Sequence, residues 1–555
     1  MKILPAILLL GVVSFAQTHQ HAPPASESTV DLEHLPAPQH IDGIGHSHIA
    51  ITTKSPEAQQ WFDQGLALLH CFWDYEALRA FEQAVRLDPD CAMCHWGVSN
   101  AVAFRGSAKE QAKSEMKKAH ELAAKATDRE QRYIRAYFES QEKDGEEGSK
   151  AFDHEMSALI DRYPDDLEAK LLLAGARLGG YDVKGDPRPG ALGTQAMLRE
   201  ILRDHPDNAA ANHYWIHAVE SSGHPEWAIP AAEKLGKLAP SSGHMVHMPG
   251  HIFYRVGDYE RAREIFLDAV RVDREYMERQ HVALSDDWNY QHNIAYLMAD
   301  LAEAGRYREA QEFAAKLMSF NKTVEKPDEF GFYVLQIEPA ENRLAIRFGD
   351  WDRVIAHPMP LEVSQPEIGG VFRAYRDGLV MYAAGMKSGD AAKSDQLDAL
   401  LWRISQEDLK DSAKSGRDRI AKILGAASLE LRGYIASRAG DMDRAKKLLE
   451  QAYEKEKDLG YSEPPHYARP ALEVLGEAYI RAGKFEDARA IFARVLKDRP
   501  KSGWALYGIA AAWEKEGKHE EAAKAYREFL AAWSHADSDL PQVRAARAHV
   551  SSETR

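Results

Sequence analysis

The sequence predicts an all-α fold, an α-solenoid in which antiparallel helix pairs stack into a superhelix. Three observations lead to this prediction. Amphipathic segments follow one another from Trp61 onward, and Gly-Asp, Gly-Lys or Gly-Arg turns separate the two members of a pair. A set of small, apolar and aromatic residues recurs about every 34 residues. The alternation of apolar and polar residues that is typical of β-strands does not occur over any useful length.

The composition is that of a folded protein, and its charge restricts the class of partner. Hydrophobic residues make up 45% and charged residues 28% of the 555-residue chain. Lys and Arg total 70 against 86 Asp and Glu, which gives a formal net charge of −16, and no run is rich in Lys or Arg. This balance argues against nucleic acid or an anionic membrane surface as the main partner.

The clearest repeat unit places its residues at fixed positions of two helices: Trp61, Gly65, Leu68, Ala77, Phe81, Ala84 and Pro89. The same register returns in two further sets: Gly250, Phe253, Ala262, Phe266 and Ala269; Leu472, Gly476, Tyr479, Ala488, Phe492 and Pro500. This is the spacing of a tetratricopeptide repeat (TPR). Small residues let the two helices approach, aromatic residues fill the gap between them, and proline ends the second helix.

The repeats divide the chain into regions, and about a dozen helix pairs are expected. We expect an N-terminal array over residues 56–330, divergent helical repeats over 331–412, a C-terminal array over 413–533 and a tail over 534–555. The strings GLALLHCFWDYEALRAF, NHYWIHAVE, GHMVHMPGHIFYRVGDY, QHNIAY and SGWALYGIA resemble a group of exported bacterial TPR proteins. This resemblance implies the TPR-type α-solenoid and export, and it implies no reaction.

The N-terminus has the pattern of a cleavable signal peptide. Lys2 supplies the positive charge, Ile3–Val13 is apolar but too short to span a bilayer, and small residues precede a cleavage site after Ala16. We therefore expect a periplasmic or secreted protein, in a compartment that permits disulfides. Residues 17–55 contain proline and histidine without a helical period, which predicts a linker.

Histidines recur at the repeat period in the middle of the N-terminal array. His213 and His217 lie 34 residues before His247 and His251, and four positions separate the members of each pair, which places them on one helical face. The resemblance to TPR proteins implies that three further residues fall at inner-face positions of these two repeats and the next one: Glu220, His244 and His292. These seven residues predict one patch on the concave surface.

A transition metal is one interpretation of this patch, because imidazole and carboxylate ligands suit Zn, Fe, Mn or Cu(II). Glu220 is then a ligand or a general base acting on metal-bound water. Groove histidines that bind a peptide, or one another, without metal are the alternative. Pro249 adds a second open question. If it marks the first turn of its helix, His244 and His247 lie on a loop.

The three cysteines allow several chemistries. Cys91, Cys94 and His95 spell the attachment pattern of a c-type haem, although the helix that they open belongs to a tightly packed repeat, which makes haem the less favoured cofactor. A redox-active CxxC pair at a helix N-terminus is a second interpretation. A disulfide, between Cys91 and Cys94 or between one of them and Cys71, is the third.

Three functions follow from these features. The first is an exported scaffold that binds a protein or peptide in its concave groove and carries a histidine-rich transition-metal site. The second is a metal-dependent enzyme that uses the same histidines and Glu220. The third is a haem or redox carrier that uses Cys91, Cys94 and His95. Neither a phosphate-binding loop nor a hydrolase nucleophile motif appears in the sequence.

Overall fold

The computed structural model of the chain confirms the all-α prediction. It describes residues 32, 34–104, 108–143, 145–320, 323–324, 337, 339–357, 362–363, 366–406 and 411–553. These residues form 25 α-helices, which is consistent with about a dozen pairs. The proposed signal peptide, residues 1–16, lies outside the described residues.

The helices are numbered α1 to α25 in chain order, and in most pairs the first helix has an odd number. The helices of the first half are α1 (Pro56–His70), α2 (Asp74–Leu87), α3 (Ala92–Phe104), α4 (Lys109–Leu122), α5 (Asp128–Gln141), α6 (Gly145–Arg162), α7 (Leu167–Ala176), α8 (Ala191–Asp204), α9 (Ala209–Glu220), α10 (Ile229–Leu238), α11 (Gly243–Arg255) and α12 (Tyr259–Gln280). The remaining helices are α13 (Trp288–Glu303), α14 (Tyr307–Ser319), α15 (Ala340–Phe348), α16 (Trp351–Ala356), α17 (Pro366–Ser388), α18 (Ala391–Ser405), α19 (Asp411–Arg438), α20 (Met442–Lys457), α21 (Ala471–Arg481), α22 (Phe485–Asp498), α23 (Gly503–Lys515), α24 (His519–Ala532) and α25 (Pro541–Glu553).

Other regular structure is minor in the part of the chain that the structure describes. Two-residue strands β1 (Thr323–Val324) and β2 (Glu362–Val363) pair in parallel, with Thr323 opposite Glu362. Short 3₁₀ turns occur at Ala123–Lys125, Pro225–Ala228 and Leu284–Asp286. No helix among the described residues has the length and apolarity needed to cross a membrane.

The chain divides into two compact units. The first unit comprises residues 1–181, 187–249 and 275–287. Its first repeat packs as the sequence predicts. A β-carbon added to Gly65 would lie 2.8 Å from the ring of Phe81, and one added to Gly97 would lie 2.2 Å from the same ring. The two glycines thus admit one buried aromatic side chain of α2 between α1 and α3.

The second unit comprises residues 182–186, 250–274 and 288–555. The same packing returns there. A β-carbon on Gly476 would lie 2.6 Å from the ring of Phe492, and one on Gly508 would lie 2.3 Å from it. Gly250 faces Phe266 in the same way, at 2.3 Å. Each unit therefore repeats one device, a glycine on the first helix of a pair opposite an aromatic side chain on the second.

The region predicted as divergent repeats also forms packed helices where it is described. Helices α15 to α18 lie within residues 331–412, of which 331–336, 338, 358–361, 364–365 and 407–410 are outside the described residues. Phe372, Tyr375 and Leu397 are buried in one apolar core with Leu424 of α19. The predicted tail, residues 534–555, contains α25, whose Val543 and Ala546 are buried against the preceding helices.

The predicted linker is partly described and has a defined path. Residues 34–55 contain no helix, and yet Ile44 and Ile49 are buried in the first unit. The final residue of this stretch, Ser55, caps α1, since its side chain accepts a hydrogen bond from the backbone N–H of Ala58 at 3.2 Å.

Candidate metal centre

Helix α9 supplies two of the predicted histidines. Its first turn is fixed by Asn208, whose side chain accepts a hydrogen bond from the backbone N–H of Ala211 at 2.8 Å. Every residue of α9 is buried, so the helix is enclosed on all sides. His213 and His217, four positions apart, project from one face of it.

The third histidine comes from the first turn of α11. This helix begins at Gly243 and continues through Pro249, which lies in its interior. His244 and His247 are therefore helical, and the alternative in which a loop carries them is not what the structure shows. Ser242 precedes the helix, and its hydroxyl accepts a hydrogen bond from the backbone N–H of Met245 at 3.4 Å.

Three imidazoles of the first unit meet at their Nε2 atoms. The Nε2 atom of His213 lies 3.0 Å from Nε2 of His217 and 3.1 Å from Nε2 of His244. The ligand nitrogens of all three lie within 4.8 Å of one another. The side chains are buried, with exposed fractions of 0% for His213, 2% for His217 and 3% for His244.

The opposite ring nitrogens of His213 and His217 face acceptors. The Nδ1 atom of His213 lies 2.7 Å from the backbone carbonyl oxygen of His70, and Nδ1 of His217 lies 2.6 Å from Oε1 of Glu220. A carbonyl or carboxylate oxygen only accepts, so each Nδ1 carries the proton. In a neutral imidazole the other nitrogen then presents a lone pair. The two Nε2 lone pairs therefore face the same point.

A hydrogen-bonded chain holds the carbonyl group that orients His213. The His70 ring donates from Nε2 to Oε2 of Glu168 at 2.8 Å, and its Nδ1 lies 2.8 Å from the hydroxyl of Tyr214. Burial raises the pKa of Tyr214 well above its usual value, so this hydroxyl stays protonated and donates to Nδ1. These contacts fix the ring of His70, the residue whose carbonyl group accepts from His213.

Phe72 covers the three imidazoles. Its ring centroid lies 4.6 Å from that of His213, 5.4 Å from that of His217 and 5.5 Å from that of His244. Its backbone φ is 55°, in the left-handed region that non-glycine residues rarely adopt. The equivalent position of other repeats is a glycine with positive φ, as at Gly257 and Gly483. A large aromatic residue thus replaces glycine where it shields the imidazoles.

The remaining predicted ligands are distributed between the two units. His247 is buried in the first unit, with its ring centroid 6.2 Å from that of His244. His251 and His292 are buried in the second unit, with ring centroids 6.0 Å apart. There, Nδ1 of His251 lies 3.4 Å from Oε2 of Glu463. Three of the seven predicted residues, His213, His217 and His244, therefore meet at their Nε2 atoms, and Glu220 accepts a hydrogen bond from one of them.

The second unit also contains a buried cluster of charges, and these charges neutralise one another. Arg347 donates to Oε1 of Glu303 at 2.9 Å and to Oε2 of Glu473 at 2.7 Å. Arg499 donates to the same oxygen of Glu303 at 2.8 Å. Burial alone would lower the pKa of Arg347, but the two carboxylates outweigh it and raise this pKa. The cluster is accordingly an internal ion network.

The cysteines form a local disulfide, which is one of the alternatives left open by the sequence. Cys91 and Cys94 are joined at the start of α3, with their Cα atoms 5.3 Å apart. Cys71 is the remaining thiol, and burial raises its pKa to about 12. This arrangement does not fit a haem, because the disulfide uses both sulfurs that thioether bonds would need. Both ring nitrogens of His95 also have partners, at 2.7 Å on Glu115 and 3.1 Å on the carbonyl group of Pro89.

Two contributors to the site escaped the sequence analysis. The carbonyl group of His70 is a backbone atom, which no residue pattern indicates. Phe72 has a signal in retrospect, because it occupies the position at which other repeats need glycine for a left-handed turn. Comparing the turns of the repeats in register would have singled it out.

Comparison with known proteins identifies a repeat in the C-terminal part of the chain. The family model described as a tetratricopeptide repeat matches residues 474–537. Among solved structures, the chain is similar to the APC/C hetero-tetramer Cut9–Hcn1 (13% identity, 88% of this chain and 76% of that chain, TM-score 0.30). It is also similar to the human IFIT1 dimer with m7Gppp-AAAA (11% identity, 80% of this chain and 90% of that chain, TM-score 0.31). A third similar structure is yeast Tom70 (13% identity, 90% of this chain and 96% of that chain, TM-score 0.29). No curated protein matches the chain.

Proposed function

We propose that the chain is a helical-repeat scaffold for protein binding whose first unit holds one transition-metal ion through His213, His217 and His244. One observation carries the metal part of this proposal, namely that the three Nε2 atoms converge. The repeat match over residues 474–537 supports the scaffold part, because repeats of this kind build extended binding surfaces.

A shared cation accounts for the contacts between these nitrogens. The Nε2 atoms of His213 and His217 are 3.0 Å apart, and each presents a lone pair because each Nδ1 is a donor. Two lone pairs at this distance repel unless a proton or a metal cation lies between them. Zinc binds imidazole at about 2.0–2.1 Å, which sets tetrahedral ligand atoms roughly 3.3 Å apart. The observed spacing needs only a small adjustment to receive such an ion.

The surrounding contacts match those of metal-bound histidines. A ligand histidine usually donates its other N–H to a carboxylate or a backbone carbonyl, which fixes its tautomer and orientation. Glu220 plays this part for His217, and the carbonyl group of His70 plays it for His213. A set of three imidazoles favours Zn or Cu(II) over Mn, because Mn prefers oxygen ligands.

The enclosure of the site favours a structural role over catalysis. A catalytic zinc keeps one open position for water or substrate. Here the three imidazoles are almost fully buried and the ring of Phe72 covers them. Glu220 contacts Nδ1 of His217, the nitrogen remote from the proposed ion, so in this proposal it orients a ligand and does not activate a water molecule.

Export is a further part of the proposal. It is supported by the signal-peptide pattern of residues 1–16, and the disulfide between Cys91 and Cys94 is of a kind that persists in oxidising compartments. N-terminal sequencing of protein recovered from a periplasmic or culture fraction tests this part. We expect the mature chain to begin at Gln17, and an uncleaved chain retained in the cytoplasm would contradict it.

Metal analysis of the full chain tests the central part. After chelation and reconstitution with zinc, we expect about one equivalent per chain, lost in His213→Ala and His217→Ala and kept in His224→Ala, whose ring is exposed. At zinc roughly 1,000 times its dissociation constant, the ion should stabilise the folded chain by about 4 kcal/mol. Zinc uptake that is the same in all three variants, or absent from the unmodified chain, would refute the proposal.

A further inference from the structure

Residues 39–54, called the docking segment below, cross the first unit as a non-helical peptide that bends at residues 42–44. The backbone polar groups of the segment bond to helix side chains. Gln64 of α1 accepts from the N–H of Ile41 at 3.1 Å and donates to the carbonyl group of Gln39 at 3.0 Å. Farther along, the N–H of His48 donates to Glu168 of α7 at 3.2 Å. The docking segment thus contacts side chains of α1 and α7, which are each the first helix of a pair.

The second half of the docking segment is held in the same way. The N–H of Thr52 donates to Oε1 of Glu130 at 2.5 Å, and its hydroxyl donates to Oε2 at 2.7 Å. The N–H of Lys54 donates to Asp88 at 2.8 Å. Side-chain carboxylates and amides of the helices, with that of Asp88 directly after α2, therefore supply the acceptors that a neighbouring strand would supply in a sheet. The surface binds a main chain, and it does so through fixed side chains.

Side chains of the docking segment add sequence preference. Ile44 and Ile49 are buried, with exposed fractions of 5% and 0%. Two glycines flank Ile44 with φ values of 72° and 83°. A β-carbon on Gly43 would lie 3.0 Å from Oγ of Ser241, and one on Gly45 would lie 2.9 Å from Cβ of Ala209. Only glycine fits both the backbone conformation and this close approach.

Exposed charges matter less for this contact. The ring of His48 lies 2.8 Å from Asp63, and Nζ of Lys54 lies 3.2 Å from Asp90, but the side chains of His48, Lys54 and Asp90 are more than half exposed. Ion pairs of this kind contribute little. Burial of the two isoleucines and the backbone hydrogen bonds thus determine what the surface recognises.

We propose that this surface is a peptide-binding site and that the docking segment is its resident, displaceable ligand. The ligand class is a peptide that bends at a Gly-apolar-Gly sequence and carries a second apolar residue five positions after the first. A partner with this pattern competes with the segment for the site. The inference deepens the protein-binding part of the proposed function and is independent of the metal.

A tethered ligand has an effective concentration in the millimolar range, so the intact segment should exclude free peptide. The test uses the full chain and a fluorescent synthetic peptide with the sequence of residues 39–54. The double variant Ile44→Asp/Ile49→Asp, which places charges at two buried positions, should bind this peptide at least about 100-fold more tightly than the unmodified chain. Ala50→Asp, which adds the same charge at an exposed position, should bind it as the unmodified chain does. All affinities should be unchanged by a chelator, so that failure of the metal site is distinguished from failure of the peptide site.

Absence of peptide binding by a double variant of unchanged helix content would overturn the proposal, as would equal binding by Ala50→Asp. Hydrogen exchange on the unmodified chain decides the matter if the double variant does not fold. The amides of Ile41, His48 and Thr52 should then exchange through opening of the segment alone, faster than the amides within α1. Exchange of these amides only on global unfolding would overturn it.

Discussion

Replacing Glu220 by glutamine is expected to weaken metal binding while the first unit stays folded. Oε1 of Glu220 accepts a hydrogen bond from Nδ1 of His217 at 2.6 Å, and both side chains are almost fully buried. The carboxylate fixes the tautomer of the ring and makes Nε2 a better electron donor. Glutamine has nearly the same shape and retains a carbonyl acceptor, but it lacks the charge.

The magnitude follows from the position of this contact behind a ligand nitrogen. Loss of such a partner reduces metal affinity about 10- to 100-fold, which is about 1.4–2.7 kcal/mol. At zinc about 1,000 times the dissociation constant of the unmodified chain, the ion stabilises that chain by about 4 kcal/mol. The variant should gain only about 1.4–2.7 kcal/mol under the same conditions, whereas the two metal-free proteins should melt at similar temperatures.

A competitive zinc titration against a chromophoric chelator measures the affinities, and thermal melts with and without zinc measure the stabilities. The matched control is Glu226→Gln, since Glu226 makes a similar contact, 2.9 Å to Nδ1 of His224, between exposed side chains. The control should leave the zinc affinity unchanged. An unchanged affinity in Glu220→Gln, or an equal loss in both variants, would refute the assignment of His217 as a ligand.

Three other predictions concern the scaffold. Gly508→Ala places a β-carbon 2.3 Å from the ring of Phe492 and should lower the free energy of unfolding by about 1–2 kcal/mol. Gly425→Ala adds a β-carbon to a helix with no atom within 4 Å and should raise this free energy by about 0.8–1.0 kcal/mol. Equal midpoints for the two variants in denaturant melts would contradict this. Burial raises the pKa of Asp300 well above its usual value, so the folded chain keeps a proton that the unfolded chain loses above about pH 4. The free energy of unfolding should therefore fall with rising pH, by up to about 1.4 kcal/mol per pH unit, until the folded-state pKa of Asp300 is passed. Asp300→Asn should remove this contribution. An identical dependence of stability on pH in the two proteins would count against this assignment. Phe72→Gly should destabilise the chain, because loss of a buried ring (about 3–5 kcal/mol) exceeds relief of the left-handed backbone (about 1–2 kcal/mol). His281 is exposed and has a φ of 53°, so His281→Gly relieves the backbone without losing a buried ring and should stabilise the chain. Stability changes of the same sign for the two variants in chemical melts would disprove this reasoning.

The repeat fold was predictable because its determinants are local and periodic. Gly65 and Phe81 occupy fixed positions of one unit, and the structure brings them together by the packing that their spacing indicates. Four-residue spacing likewise placed His213 and His217 on one face of a helix. The 34-residue displacement indicated His247 and His251, and both side chains are buried. The third member of the imidazole cluster is His244, whose place depends on where α11 begins.

The parts that were not predicted depend on contacts between distant positions or on backbone conformation. The bond from His213 to the carbonyl group of His70 joins residues 143 apart in the chain. The docking segment lacks a helical period, because a non-helical peptide held by helix side chains needs none. The burial of its two isoleucines and the need for the flanking glycines could not be predicted, because both depend on the surface that the segment contacts.

Anomalous diffraction from crystals of the zinc-loaded full chain tests the metal site most directly. Data recorded on both sides of the zinc absorption edge locate the ion without reference to any assumed ligand. We expect one peak about 2.0–2.1 Å from the Nε2 atoms of His213, His217 and His244, beneath the ring of Phe72. A stoichiometrically loaded crystal with its zinc peak elsewhere, or with these three nitrogens still in contact and no ion between them, would contradict the proposed centre.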